Sequence, residues 1–173
     1  MRVPLGFVFG ALFLIFARPT WTTLAAGAGV SLVGIVIRGW AAGHIVKSKH
    51  LAVGGPYAYV RNPLYLGSFF LALGLTVGAG VWWLALIGAA GFIGIYLPVM
   101  RIEATELRVL FPGEFEAYEK NVPLFIPRLS PWKSDGGKFD FQLYLRYREY
   151  RAALGAFAVL AALAIKIYLF PLN

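Results

Sequence analysis

The chain contains no cysteine, which excludes disulfides, thiolate metal sites and a cysteine nucleophile. Its two histidines, His44 and His50, are too few for a histidine-built metal cluster. No carboxylate occurs before Glu103, and all 8 lie between Glu103 and Glu149. Any acidic contact to the first hundred residues must therefore come from that later segment. Between Ser68 and Val99 there is no charge of either sign. No G-x-G-x-x-G fingerprint is present, so a nucleoside cofactor would not bind on a doubly wound sheet but among helix ends and loops. Internal repeats and low-complexity tracts are absent as well.

What remains is apolar and basic: 60% of the 173 residues are hydrophobic, with 16 Lys+Arg against 8 Asp+Glu. That is too apolar for an ordinary soluble domain and predicts several membrane-crossing helices. The net charge of +8 does not point to nucleic acid, because the charges sit between and beside apolar spans. A positive face over anionic lipid accounts for them. The expected fold is all-α: a polytopic membrane bundle of about five transmembrane helices, one domain over 1–173, with a cytosolic cofactor-binding segment before the last helix.

Apolar runs place the spans at about 3–17, 24–46, 63–77, 81–100 and 152–170. The first reaches only about 22 Å against a hydrocarbon core of about 30 Å. It resembles a signal-peptide core behind Arg2, but its thin charged region favours a retained short helix. Arg18-Pro19-Thr20 forms a turn, and Thr22 or Thr23 is placed to cap the second span. That span carries Gly27, Gly29, Ser31 and Gly34 among other small residues, a composition that lets helices approach closely in lipid. Gly78-Ala79-Gly80 is a minimal hairpin connection, and Pro98 is expected to kink or end the fourth span.

From 101 to 151 the chain turns charged, aromatic and punctuated. Glu103, Glu106, Leu107 and Leu110 share one stripe of a helix continuing the fourth span. Phe111-Pro112-Gly113 stops it, and residues 113–120 suit a short helix with Phe115 and Tyr118 on one side. Residues 121–131 hold three prolines and read as extended. Ser134-Asp135-Gly136-Gly137 reads as a turn, and 139–151 as a basic aromatic helix on the membrane surface. Lys166 snorkels outward near the end of the last span. Lys47, Lys49, Arg61 and the basic residues of 101–151 put those loops on the cytosolic side, with the N-terminus in and the C-terminus out.

The stretch Gly54-Gly55-Pro56-Tyr57-Ala58-Tyr59-Val60-Arg61-Asn62-Pro63-Leu64-Tyr65-Leu66-Gly67 leads straight into the third span. Asn62 suits an N-cap and Pro63 the first helical position. Free N–H groups and the positive dipole end then lie at the membrane surface. The arrangement is either a well-capped helix and nothing more, or an anion seat. Arg38, inside the second span, either snorkels with Trp40 and His44 to the headgroups or grips an anionic substrate group.

Taken whole, the stretch resembles the Gly-Pro-Tyr-x-x-x-Arg-His-Pro-x-Tyr-x-Gly signature of the isoprenylcysteine carboxyl methyltransferase and phospholipid methyltransferase superfamily. Asn62 stands in the histidine position. A second block, Glu103-Ala104-Thr105-Glu106-Leu107-Arg108-Val109-Leu110-Phe111-Pro112, is similar to that superfamily's Glu-Glu-x-x-Leu-x-x-x-Phe-Gly, with Ala104 in place of the second glutamate. Phe115-x-x-Tyr118 follows in place of that pattern's Tyr-x-x-Tyr, and then Val122-Pro123-Leu124-Phe125-Ile126-Pro127.

The resemblance implies an integral-membrane enzyme that uses S-adenosylmethionine on a lipophilic or lipidated substrate amid membrane lipids, without nucleic acid or metal. It carries Arg61, Pro63, Tyr65 and Glu103 over as cofactor-pocket residues. Tyr57, Tyr59, Tyr65 and the surroundings of Val60 can form an aromatic slot. Arg61 and N–H groups beside Asn62 can hold the cofactor's carboxylate, and Glu103, with Glu106, its hydroxyls or ammonium.

Arg38 and Asn62 are the catalytic candidates, and Arg38, Trp40 and His44 the substrate-binding ones. Asn62 can donate and accept hydrogen bonds but cannot titrate near neutral pH. A carboxylate acceptor needs no general base whereas an amine does, which favours carboxylate O-methylation of a lipid-like or prenylated-cysteine-like acceptor. The alternatives are a phospholipid amine N-methyltransferase, an NADPH-dependent sterol or steroid reductase, and a non-catalytic membrane scaffold.

Overall fold

The computed structural model describes residues 10, 13–44, 50–133 and 138–170. The expectations placed on residues 3–9, on Lys47 and Lys49, and on the 134–137 turn lie outside the described residues. The second apolar run becomes α1, Trp21–Ala42, and a 3-10 turn at Gly55–Ala58 precedes α2, Pro63–Gly78. Then come α3, Trp82–Leu110, α4, Glu114–Asn121, α5, Phe141–Arg146, and α6, Tyr150–Leu169. The described residues are helical or irregular throughout, with no strand among them. Residues 13–16 are helical as well.

Three of these helices are long and apolar enough to cross a membrane: α1 with 22 residues, α3 with 29 and α6 with 20, at mean hydropathies of 1.6, 1.9 and 2.1. At 16 residues, α2 is shorter, reaching about 24 Å. The large apolar side chains on the outside, Val36, Ile95 and Phe157 among them, are exposed. In an integral membrane protein such a surface faces lipid rather than water.

Local chemistry moves several boundaries. Thr20, not Thr22 or Thr23, caps α1: its hydroxyl accepts from the Thr23 N–H at 3.1 Å, while the Thr23 side chain accepts from the Thr20 N–H at 2.9 Å. This reciprocal box starts the helix ahead of the apolar run. Pro98 does not end α3, which runs through it to Leu110; a membrane helix tolerates the lost bond when neighbours re-satisfy the carbonyl. The expected surface helix over 139–151 is broken in two, because Arg148 adopts φ 55 between α5 and α6. Asp140 caps α5, accepting from the Gln142 N–H at 2.7 Å. Lys166 does not reach outward. Its ammonium donates to the carbonyls of Leu14 and Ile15, at 2.5 and 3.1 Å, satisfying orphan acceptors at the end of the first helical piece.

Packing follows the small residues. A Cβ on Gly27 would lie 2.4 Å from the Gly74 oxygen, and one on Gly34 2.5 Å from the Gly67 oxygen. Gly74 in turn meets Ser31, and Gly67 meets Arg38. α1 and α2 are therefore in backbone contact along a seam repeating every three or four residues, and Arg38 belongs to that seam.

One end of the bundle is closed by Phe13, Ala17, Ala79, Leu84 and Leu163. The other is closed by a cap in which Leu51 and Val122 cluster with Ala104 of α3 and Phe115 and Tyr118 of α4.

Candidate functional site

The cap is built by two distant segments crossing. Residues 121–132 run back along the turn before α2. The Arg61 N–H donates to the Pro123 carbonyl at 2.9 Å, and the Arg128 and Trp132 N–H groups donate to the Tyr59 and Ala58 carbonyls, both at 3.0 Å. The buried Tyr118 hydroxyl donates to the Tyr57 carbonyl at 2.8 Å. Gly113, at φ 76, turns the chain from α3 into α4, and so brings Phe115 and Tyr118 back against Ala104. Ala104, where the resembling pattern has a second glutamate, is buried between these rings; a carboxylate there would be desolvated.

This crossing puts Arg61, Asn62 and Glu103 on the wall of one hollow, with Phe115, Tyr118 and Leu124 completing it. The Tyr65 hydroxyl donates to Glu103 Oε1 at 2.7 Å. Asn62 stands at the N-cap of α2, but its side chain makes no capping bond. Its amide instead donates to the Leu124 carbonyl at 3.0 Å, tying the strap to the helix mouth. Arg61 is ion-paired with Glu119 and lies over the Phe115 ring at 6.0 Å. Glu119 also accepts from Arg108 Nε and Nη2 at 3.0 and 2.7 Å. Burial pushes the Glu119 pKa upward, but the hydrogen bonds and charges of Arg108 and Arg61 outweigh it and hold the carboxyl below its ordinary range.

Two buried polar atoms have no hydrogen-bond partner among the described residues, Arg61 Nε and the Tyr57 hydroxyl. Burial, with Tyr118 and Glu149 nearby, drives the Tyr57 pKa well above that of a free phenol.

The remaining candidates separate. Val60 and Pro63 are buried packing residues. Glu106 is exposed on α3 and does not line the hollow. Trp40 and His44 share a face of the α1 end, as their spacing predicts, but pack on loops: the Trp40 ring lies 6.1 Å from Tyr59, and His44 6.0 Å from Phe139. Arg38 points elsewhere. Its Nε and Nη2 donate to Glu149 Oε2 at 3.0 and 2.7 Å, and Nη1 bonds Ser68. Beside this pair a groove of about 640 Å³ runs between α1 and α6, lined by Leu32, Ile35, Tyr150, Phe157 and Leu160.

Sequence reasoning missed Glu119 and Glu149 as the partners of Arg61 and Arg38. A signal was available: with no carboxylate before Glu103, both arginines had to draw partners from 103–149.

The cap's donor set suits a zwitterionic nucleoside such as S-adenosylmethionine. Arg61 Nε is an unused cationic donor, Glu103 an acceptor, and Phe115 and Tyr118 are flat apolar walls. The volume does not suit it as folded. The hollow measures about 20 Å³, room for one water, against roughly 300–1,000 Å³ for a small-molecule site. Among the described residues no group of three or more His, Asp or Glu could hold a metal.

Residues 5–113 match the profile of the phospholipid methyltransferase family. A nickel-cobalt-cadmium resistance protein of Alcaligenes xylosoxydans xylosoxydans is 37% identical over 122 residues, 67% of this chain and 56% of that protein. A cobalt-zinc-cadmium resistance protein of Cupriavidus metallidurans is 34% identical over 142 residues, 78% of this chain and 65% of that protein. The protein-S-isoprenylcysteine O-methyltransferase of Schizosaccharomyces pombe is 31% identical over 132 residues, 73% of this chain and 56% of the yeast protein. The matched stretches therefore span between 56% and 65% of these relatives. No solved structure matches the chain.

Proposed function

Since this chain belongs to the phospholipid methyltransferase family, we propose that it is a membrane methyltransferase that uses S-adenosylmethionine and methylates the carboxylate of a lipid-like or prenylated-cysteine-like acceptor. One observation carries the reading: Arg61 and Asn62 from one motif and Glu103 from the other, far apart in sequence, line a single hollow. When bound, the cofactor supplies an activated methyl group on a sulfonium. Arg61 would hold its carboxylate through the unused Nε, and Glu103, steadied by Tyr65, its ammonium or ribose hydroxyls. Asn62 keeps the 121–125 strap against the mouth of α2. Opening requires α4 and this strap to withdraw together.

A carboxylate acceptor is already a nucleophile and needs no base, in keeping with an amide at position 62. The protein's contribution is then positioning and exclusion of water. The groove beside Arg38 gives an apolar tail a place to lie, and the yeast relative is by name an O-methyltransferase. The family description, phospholipid methyltransferase, favours a second reading, methylation of a phospholipid amine. The topology we adopt has five spans in one membrane unit, with the cap in the cytosol, the N-terminus in and the C-terminus out.

Calorimetry on the purified protein tests the cofactor. S-adenosylhomocysteine should bind saturably, and Glu103→Ala should weaken it at least tenfold with the melting temperature unchanged. Binding of NADPH alone would make the protein a reductase, and binding of neither a scaffold. The acceptor is tested by incubating the protein with donor and either a prenylcysteine or phosphatidylethanolamine. A carboxyl methyl ester releases methanol in mild base and an N-methyl group does not.

A further inference from the structure

Glu119 divides its two oxygens between two guanidiniums. Oε1 meets Arg61 and Oε2 takes both Nε and Nη2 of Arg108. Arg108 lies in the last turn of α3, outside the hollow, with its side chain 48% exposed against 13% for Arg61. Arg108 thus makes two hydrogen bonds to the shared carboxylate against one from Arg61, whose Nε has no partner among the described residues. Around Glu119 itself two cations share one anion, while the other carboxylate of the hollow, Glu103, accepts from the Tyr65 hydroxyl. A second carboxylate would balance the cluster without stranding any charge out of water. Gly113, at φ 76, stands just before α4, and a Cβ there would meet nothing within 4 Å.

We propose that Glu119 is an internal occupant of an anion seat on Arg61, displaced when the carboxylate of an amino-acid-bearing nucleoside arrives, and retained meanwhile by Arg108. No bond is made or broken; one ion pair is exchanged for another. The proposal rests on the cofactor reading above. It adds a specificity rule: the protein distinguishes nucleosides by whether they carry a carboxylate, and Glu119 sets how strongly.

The test compares S-adenosylhomocysteine with 5′-methylthioadenosine, which shares the nucleoside thioether but lacks the amino-acid end. Glu119→Gln should bind S-adenosylhomocysteine about fivefold tighter, the size expected for a part-exposed ion pair, with 5′-methylthioadenosine little changed. Arg108→Gln, which leaves Glu119 to Arg61 alone, should weaken S-adenosylhomocysteine selectively, and the double variant should return towards Glu119→Gln. If both ligands shift alike in Glu119→Gln, or S-adenosylhomocysteine binds more weakly there, Glu119 is a packing residue and the proposal is overturned. Should Glu119→Gln not fold, the Arg108→Gln ratio alone decides. If the unaltered protein binds neither nucleoside, the cofactor reading falls and takes this one with it. If it binds both and the ratio ignores Glu119 and Arg108, only the exchange is refuted.

Discussion

A single methyl group at Gly34 should force α1 and α2 apart. The Cβ of an alanine there would lie 2.5 Å from both the Gly67 oxygen and the Leu71 nitrogen. Both are backbone atoms that cannot rotate away, so the helices must separate by about 1 Å to restore ordinary contact. Overpacking at such a site costs about 1–3 kcal/mol, offset in part by the roughly 1 kcal/mol that alanine gains over glycine in a helix. Gly29 on the same helix is an internal control, with nothing within 4 Å of its added Cβ. Gly34→Ala should lose about 1 kcal/mol net, whereas Gly29→Ala should gain up to about 1 kcal/mol. The measurement is reversible unfolding in mixed micelles, followed by tryptophan fluorescence. If the two variants melt together, α1 and α2 are not in backbone contact and the seam described above is wrong.

Glu149→Gln should destabilise by roughly 1.5–3 kcal/mol, because it leaves the Arg38 guanidinium half-paired within the bundle. Joint replacement of Arg38 and Glu149 by Met and Leu should recover most of the loss in the same unfolding assay. The Glu119 carboxyl, held below its unfolded value of 4.5, contributes stability that is fully present above that pH and is lost as pH falls below it. Glu119→Gln should therefore flatten the acid limb of the melting curve between about pH 5 and pH 3. Tyr57→Phe removes a buried hydroxyl that has no partner among the described residues, and should raise stability by about 1 kcal/mol. If it also weakens S-adenosylhomocysteine binding, the hydroxyl is retained for the ligand rather than for the fold.

Features carried by short-range pattern were legible in the sequence. The stripe of Phe115 and Tyr118, the stop at Phe111-Pro112-Gly113 and the turn at 78–80 all appear where periodicity and turn chemistry put them. The small residues of α1 announced a close helix contact, and the structure supplies its partners, Gly67, Gly74 and Gly78. The meeting of the two motifs in one cap was likewise foreseeable. Choices among chemically equal partners were not. Arg61 pairs with Glu119 rather than Glu103 or Glu106 because α4 folds back beside α3, and Arg38 finds Glu149 because α6 passes it. Neither crossing is written in local sequence. Arg148 at positive φ is a conformation its side chain does not advertise, so the break between α5 and α6 was invisible. Thr20 outranks its neighbours as a cap only through reciprocal bonding with Thr23.

The unbroken length of α3 has a consequence for the lipid around it. Its 29 residues make a rod of about 43 Å, on which Glu103 stands about 32 Å from Trp82. A hydrocarbon layer is about 30 Å deep. If the Trp82 end floats at one interface, the carboxylate clears the opposite one by hardly a single helical step. The rod thus works as a yardstick. A bilayer only a few ångströms thicker would draw Glu103 below the headgroups even with the helix fully upright, which makes membrane thickness itself an input to how readily the cap can open.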